Sequence, residues 1–140
     1  MGSRRKAREL TLQMLFQWEV GHHSPEHVLS TFLAKQKIDT DVGSFARALF
    51  EGAVREAPEL DRLVRAHAEH WRLERMAAVD RNVLRVALYE LLHYPETPPA
   101  VVINEALEIA RRFSGEDSVE FVNGVLDGIR KKLPAPPSKT

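Results

Sequence analysis

All eight prolines of this chain, at positions 25, 58, 95, 98, 99, 134, 136 and 137, fall between segments whose apolar residues recur at helical spacing. A proline inside a helix removes a backbone donor and clashes with the preceding turn, so this placement punctuates helices rather than breaking them. Alternating runs of β-branched residues flanked by hairpin turns are absent, which leaves an all-α chain. The spacing predicts helices over residues 4–20, closed by Gly21, over 25–36, with Ser24 as cap and Pro25 at the first helical position, over 41–56 and over 58–71. Three more are predicted over 75–94, over 98–114, with Thr97 as cap and Gly115 as stop, and over 117–133. Residues 79–92, VDRNVLRVALYELL, are apolar around most of their helix, which marks the central element. With short loops, the expectation is one compact helical bundle over residues 1–133, in two halves, followed by a flexible Pro-rich tail at 134–140.

A chain of 140 residues, 44% of them hydrophobic, has enough apolar surface for one buried core. It has no cysteine, which excludes disulfides, thiolate metal sites and thiol nucleophiles. No run of 18 apolar residues occurs, so no membrane span is expected. Gln13, Gln17 and Glu19 interrupt the first apolar stretch, which reads as mature protein rather than a secretory signal, and a cytoplasmic location fits best. The formal charge is zero, yet Arg4, Arg5, Lys6 and Arg8 stand together without an acid among the first eight residues, leaving 16 basic against 20 acidic residues elsewhere. Such a local cationic patch implies an anionic partner at one place. If Ser3 caps the first helix, the four cations crowd the end where the helix dipole favours anions, at a cost of about 0.3–1 kcal/mol each when exposed. Phosphate would supply the missing reason, because arginine forks match its oxygens; a solvated terminus of no consequence is the competing reading.

Other constellations are weaker. In the last helix Val119, Val122, Val125, Leu126 and Ile129 share one face, whereas Phe121 falls out of phase, with Asp117, Gly124 and Gly128. That stripe is either a platform for stacking against a partner or part of a fully enclosed helix. Phe113 is in phase with Val102, Ala106 and Ile109 and reads as core, while its neighbours Arg111 and Arg112 are placed to reach phosphate. Arg81, Arg85 and Tyr89, at i, i+4 and i+8 on the central helix, form a solvated face or more of the same anion surface. The first helix is apolar on two sides, with Leu10, Met14 and Trp18 on one and Leu12 and Phe16 on the other, so it is enclosed or has a protein partner. His67, His70 and Glu74 fall at helical spacing but read as surface residues rather than metal ligands. No GxSxG, P-loop or GxGxxG motif occurs, so neither catalysis nor a cofactor has support.

Three stretches, RRKARELTLQMLFQWEV, DRNVLRVALYELL and VINEALEIARRFSGEDSVEFVNGVLDGI, together resemble the NusB family of transcription antitermination factors over about residues 4–133. The resemblance implies a compact all-helical domain of seven helices in two sub-bundles that is not an enzyme. It implies binding of single-stranded boxA-type RNA, pairing with NusE, a small ribosomal subunit protein, and joining of RNA polymerase with other Nus factors in ribosomal RNA transcription. Carried over residue by residue, it places Arg4, Arg5, Lys6, Arg8, Phe113, Asp117 and Phe121 at the RNA surface; Arg85 and Arg111 are added as cationic candidates from the residue pattern alone. Phe16, Glu74 and Asp80 match positions near the NusE surface, Phe16 standing where a tyrosine is often seen. The alternative from another class is a protein-only helical interaction domain, such as a homodimer that covers the second apolar side of the first helix with its own copy.

Overall fold

A computed structural model describes residues 2–34, 38–68 and 76–133, with side chains from residue 4 onward. It contains helices α1 (Gly2–Glu19), α2 (Pro25–Ala34), α3 (Thr40–Arg55), α4 (Ala57–His67), α5 (Ala78–His93), α6 (Pro99–Phe113) and α7 (Glu116–Lys132), and no strand among the described residues. The seven helices match the sequence expectation, with boundaries shifted by a residue or more. The predicted segments at 35–36, 69–71, 75 and the tail at 134–140 lie outside the described residues.

Local signals explain most of the helix ends. Ser24 Oγ accepts from the His27 N–H at 3.1 Å, as its predicted capping role requires. Asp39, which the spacing did not single out, caps α3 by accepting from the Asp41 N–H. Thr97 is not the cap of α6: the helix opens at Pro99 with Pro98 before it in extended backbone, and no side chain caps it. The tandem prolines explain this, since a residue preceding proline is pushed out of the helical region. Ser3 is no cap either, because α1 is already helical at Gly2. Gly115, at φ 135°, supplies the backbone reversal between α6 and α7 that only glycine adopts without strain.

Helix α5 is the axis of the fold, packing against α1, α3, α4, α6 and α7. Its Leu84 and Leu88 are fully buried, and Val83, Val86 and Ala87 nearly so. Helices α1, α2 and α3 pack on one another on one side; α6 and α7 form a close pair on the other, with α4 against α5 and α7. Closest approach occurs where α3 crosses α5: a Cβ on Gly52 would lie 2.0 Å from Tyr89 Cζ, so glycine alone fits the crossing. Thr11 donates its hydroxyl to Ala7 O at 2.8 Å and to Ala46 O at 3.2 Å, tying α1 to α3 without leaving a buried hydroxyl unpaired. No helix among the described residues is long and apolar enough to cross a membrane.

Candidate nucleic-acid interface

The four cations at the start of α1 divide into two kinds. Arg4, Arg5 and Lys6 are exposed, whereas Arg8 is 5% exposed and turned inward. Its guanidinium donates to both oxygens of Glu90, on α5, at 2.7 and 2.6 Å, and its remaining Nη reaches Glu105, on α6, at 3.4 Å. Arg8 therefore departs from its expected place at the surface: a bidentate partner in the core takes its donors, and its task is to pin α1 to α5. Arg5 pairs with Glu105 across the same seam at 3.0 and 2.6 Å. That hydrogen bond, more than the opposing burial, holds the Glu105 carboxyl below its ordinary pKa and raises that of Arg5. Arg4 lies 3.9 Å from the centroid of the Phe45 ring, on α3.

The stripe on α5 is covered by the fold. Arg85 is 5% exposed and Tyr89 is buried, so this is neither a solvated face nor an anion surface. Arg85 donates to Asp61 through Nε and Nη2, both at 2.8 Å, and through Nη1 to Glu19 at 2.7 Å and Asn82 Oδ1 at 2.9 Å. Arg81 shares Glu19, donating to its two oxygens at 2.8 Å each. Burial opposes the charge on Glu19, but the two guanidinium donors outweigh it and hold the carboxyl below its ordinary range. The covering elements are α4 and the end of α1, which bring Asp61 and Glu19 over a helix face that periodicity alone would leave to solvent.

Near the α6–α7 turn, Phe113 is 38% exposed rather than core. Its phase on α6 is correct, but it is the last residue of that helix and overhangs the neighbours that bury Val102, Ala106 and Ile109. Phe113 and Phe16, itself 37% exposed, line one groove of about 320 Å³ together with Phe32, Val79, Leu12 and Gln13. The predicted RNA-side ring and the predicted partner-side ring thus share a single surface feature. Arg112 closes this edge to α1 by donating to Glu9 at 2.8 Å, and Arg111, also exposed, pairs with Glu108 and with Glu116 at 2.9 Å. On α7 Asp117 is exposed and Gly124 opens to free space, while Phe121 is half-buried with its ring packed against the core. Gly128 faces α4, where a Cβ would stand in ordinary contact, 3.4 Å from the His67 ring.

Asp80, expected near the partner surface, makes its contacts within the fold. It is buried in the first turn of α5, where its Oδ2 accepts from the Ser118 hydroxyl at 3.0 Å; Ser118 in turn meets Ser114 at 2.6 Å. Glu74 and His70 lie outside the described residues, and no group of metal-ligating side chains gathers among those described. His67 bonds through Nδ1 to Leu63 O at 3.0 Å within its own helix. Four residues that organise the region escaped the sequence reading: Glu19, Asp61, Glu90 and Glu105. The one available signal was Glu90 itself, an acid inside the central, most enclosed helix, which demands a buried cation.

The basic amino end of α1 and the Phe113 edge therefore lie on one side of the molecule, joined by the Arg5–Glu105 and Glu9–Arg112 bridges. Arg5 and Phe16 are separated by about 16 Å along α1, at about 1.5 Å per residue. The NusB family profile matches residues 5–131. The chain is 56% identical over 135 residues to the transcription antitermination protein NusB of Koribacter versatilis (strain Ellin345), covering 96% of this chain and 92% of that protein. T. maritima NusB superposes with a TM-score of 0.87 at 40% identity, covering 95% of this chain and 93% of that one. A structure of antitermination factors NusB and NusE in complex with double-stranded RNA superposes with a TM-score of 0.86 at 27% identity, covering 95% of this chain and 99% of its counterpart. With its fold, its length and its sequence all in agreement, the chain belongs to the NusB family of transcription antitermination proteins.

Proposed function

We propose that this chain binds single-stranded boxA-type RNA along the side that carries the exposed start of α1 and the α6–α7 turn. It pairs there with NusE and, with the other Nus factors, joins RNA polymerase to support ribosomal RNA transcription. The observation that carries the reading is the juxtaposition of exposed cations and an exposed phenyl ring on one side, bridged by Arg5–Glu105 and Arg112–Glu9. Arg4, Arg5, Lys6 and Arg111 place the strand, Phe113 and the accessible part of Phe121 stack unpaired bases, and Asp117 accepts from base amines. Arg8 and Arg85 act from inside, by fixing the helices that present the others. Phosphate competes with Glu105 for Arg5, whose guanidinium stands on the exposed side of that pair.

The groove shared by Phe16 and Phe113 supports the NusE half of the proposal, since rings exposed side by side suit a protein partner. The same groove also favours a second reading, a self-associating domain that covers Phe16 with its own copy. Titration of a boxA-like single-stranded RNA against a scrambled one, with and without NusE, tests the first reading. Preference for the boxA-like strand, strengthened by NusE, is expected. A dimer by size-exclusion mass that stays intact and binds neither RNA would establish the second.

A further inference from the structure

Where the amino end of α1 meets the start of α3, Arg4 and Phe45 stand at a cleft of about 490 Å³ that is also lined by Asp41, Val42 and Ser44. We infer that this cleft is a nucleobase subsite, in which a base of the bound RNA stacks on the Arg4 guanidinium and presents its Watson–Crick edge to the Asp41 carboxylate. The inference rests on the RNA-binding reading above and extends the strand past the start of α1.

The stack is already half built. Phe45 is half-buried against the core, with Tyr94 edge-on at 5.6 Å between ring centroids, and the buried Arg8 lies 5.9 Å from its centroid. Arg4 occupies the ring at 3.9 Å, a contact distance for a guanidinium on an aromatic face. A guanidinium plane held this way loses little freedom when a base stacks on it, and such planes are among the surfaces on which RNA bases are bound. The ring below seats the guanidinium, and α1 and α3 are in turn fixed to each other through Thr11.

The lining selects a base rather than a phosphate. One cation, already engaged with a ring, shares the cleft with a carboxylate, so a phosphate entering it would meet Asp41 at close range. The exposed Asp41 can only accept hydrogen bonds, with two oxygens side by side. Guanine offers N1–H and an N2 amine along one edge, a matching pair of donors. Adenine and cytosine each offer an amine but set an acceptor beside it, and uracil offers one imino hydrogen flanked by two carbonyls. The order expected at this position is guanine first and uracil last. Ser44, exposed at the rim, serves as a donor or an acceptor to the same base.

The test is a short oligouridine carrying a single guanosine, moved one position at a time and titrated against the full chain. One register should bind about tenfold more tightly than oligouridine, the discrimination expected of a bidentate base contact. Asp41→Asn, on the surface and outside the core, should abolish that gain while leaving the affinity for plain oligouridine within about twofold. Phe45→Leu should reduce the gain too, and its melting temperature must be measured alongside. A gain that is absent in every register, or that survives Asp41→Asn, overturns the subsite even when oligouridine binds in a Lys6-dependent way, and the RNA-binding reading then stands. If no oligonucleotide binds at all, both fall together.

Discussion

Replacing Arg8 by methionine separates the two roles that its position allows. The side chain is almost fully buried and Glu90, its partner, is 1% exposed, so removing the guanidinium leaves a carboxylate in the core without its two charge-assisted donors at 2.7 and 2.6 Å. The cavity beside the pair, lined by Arg8, Glu90, Leu12, Val83 and Val86, has room of about 10 Å³, scarcely enough for one water. Solvent therefore cannot replace the lost donors without opening the α1–α5 seam. Breaking a buried pair from one side costs about 3–5 kcal/mol. For a domain of this size, at roughly 3–4 °C per kcal/mol, that lowers the melting temperature by about 10–20 °C. The double variant Arg8→Met with Glu90→Leu removes both charges and should recover most of the loss, because an apolar replacement of a buried pair is often neutral. Thermal melting followed by circular dichroism measures the stability, and RNA titration at a temperature where every variant is folded measures the other role. The double variant should bind RNA like the parent. If Arg8→Met instead melts within about 2 °C of the parent and binds RNA more weakly, the guanidinium faces the strand and the structural assignment of Arg8 is wrong.

Gly52→Ala places a methyl group 2.0 Å from Tyr89 Cζ and should cost about 1–3 kcal/mol or more, read from denaturant unfolding; Tyr89→Phe should not rescue it, because the clashing ring remains. The Glu19 carboxyl, held below the ordinary 4.5, binds its proton less readily in the folded chain than in the unfolded one. Its contribution is thus fully present above about pH 4.5 and is lost as the pH falls through the lower folded value, so Glu19→Gln should lower stability at neutral pH and flatten the acid limb of the stability curve. With three or four exposed cations engaged, the logarithm of RNA affinity should fall against the logarithm of salt with a slope of roughly −2 to −3, and Lys6→Ala should remove about 0.7 of it. Phe113→Ala should weaken RNA binding by about 1–3 kcal/mol per lost stack with little change in melting temperature; the reverse pattern would return the ring to the core.

Helix count and the central position of α5 were legible because both are local: prolines mark boundaries, and a helix apolar around most of its circumference must be surrounded. Ser24 was legible for the same reason, since its cap bond spans three residues. What escaped were contacts set by residues far apart in the chain. Arg4 and Arg8 lie one turn apart on nearly the same face of α1, yet one meets an exposed shelf on α3 and the other a carboxylate 82 positions away on α5. Nothing within a window of one helix distinguishes them. Phe113 failed in the opposite sense: periodicity reports the direction a side chain takes but not whether a neighbour continues that far, and at the end of α6 none does. Asp80 became buried because Ser118, from the α6–α7 pair, settles over the start of α5.

The placement of acids also resolves why a neutral chain carries such a basic start. Cations at the amino end of a helix oppose its dipole, but here the two that point toward the body are each met by a carboxylate, Arg8 by Glu90 and Arg5 by Glu105. The cost of the arrangement is thereby offset inside the fold, and one of those two pairs, Arg5–Glu105, leaves its guanidinium open to solvent. Arg4, against Phe45, and Lys6 then stand exposed at a helix end whose dipole adds to their field, while the last turn of α6 answers with Arg111 and Arg112 across the groove edge. Acidic residues contribute to this geometry beside the apolar contacts: Ala7, Leu10, Met14 and Leu15 bury α1 in the core, while Glu90 and Glu105 meet the two cations that this burial turns toward α5 and α6. The remaining cations are thereby held on an anchored helix, in register with Phe113.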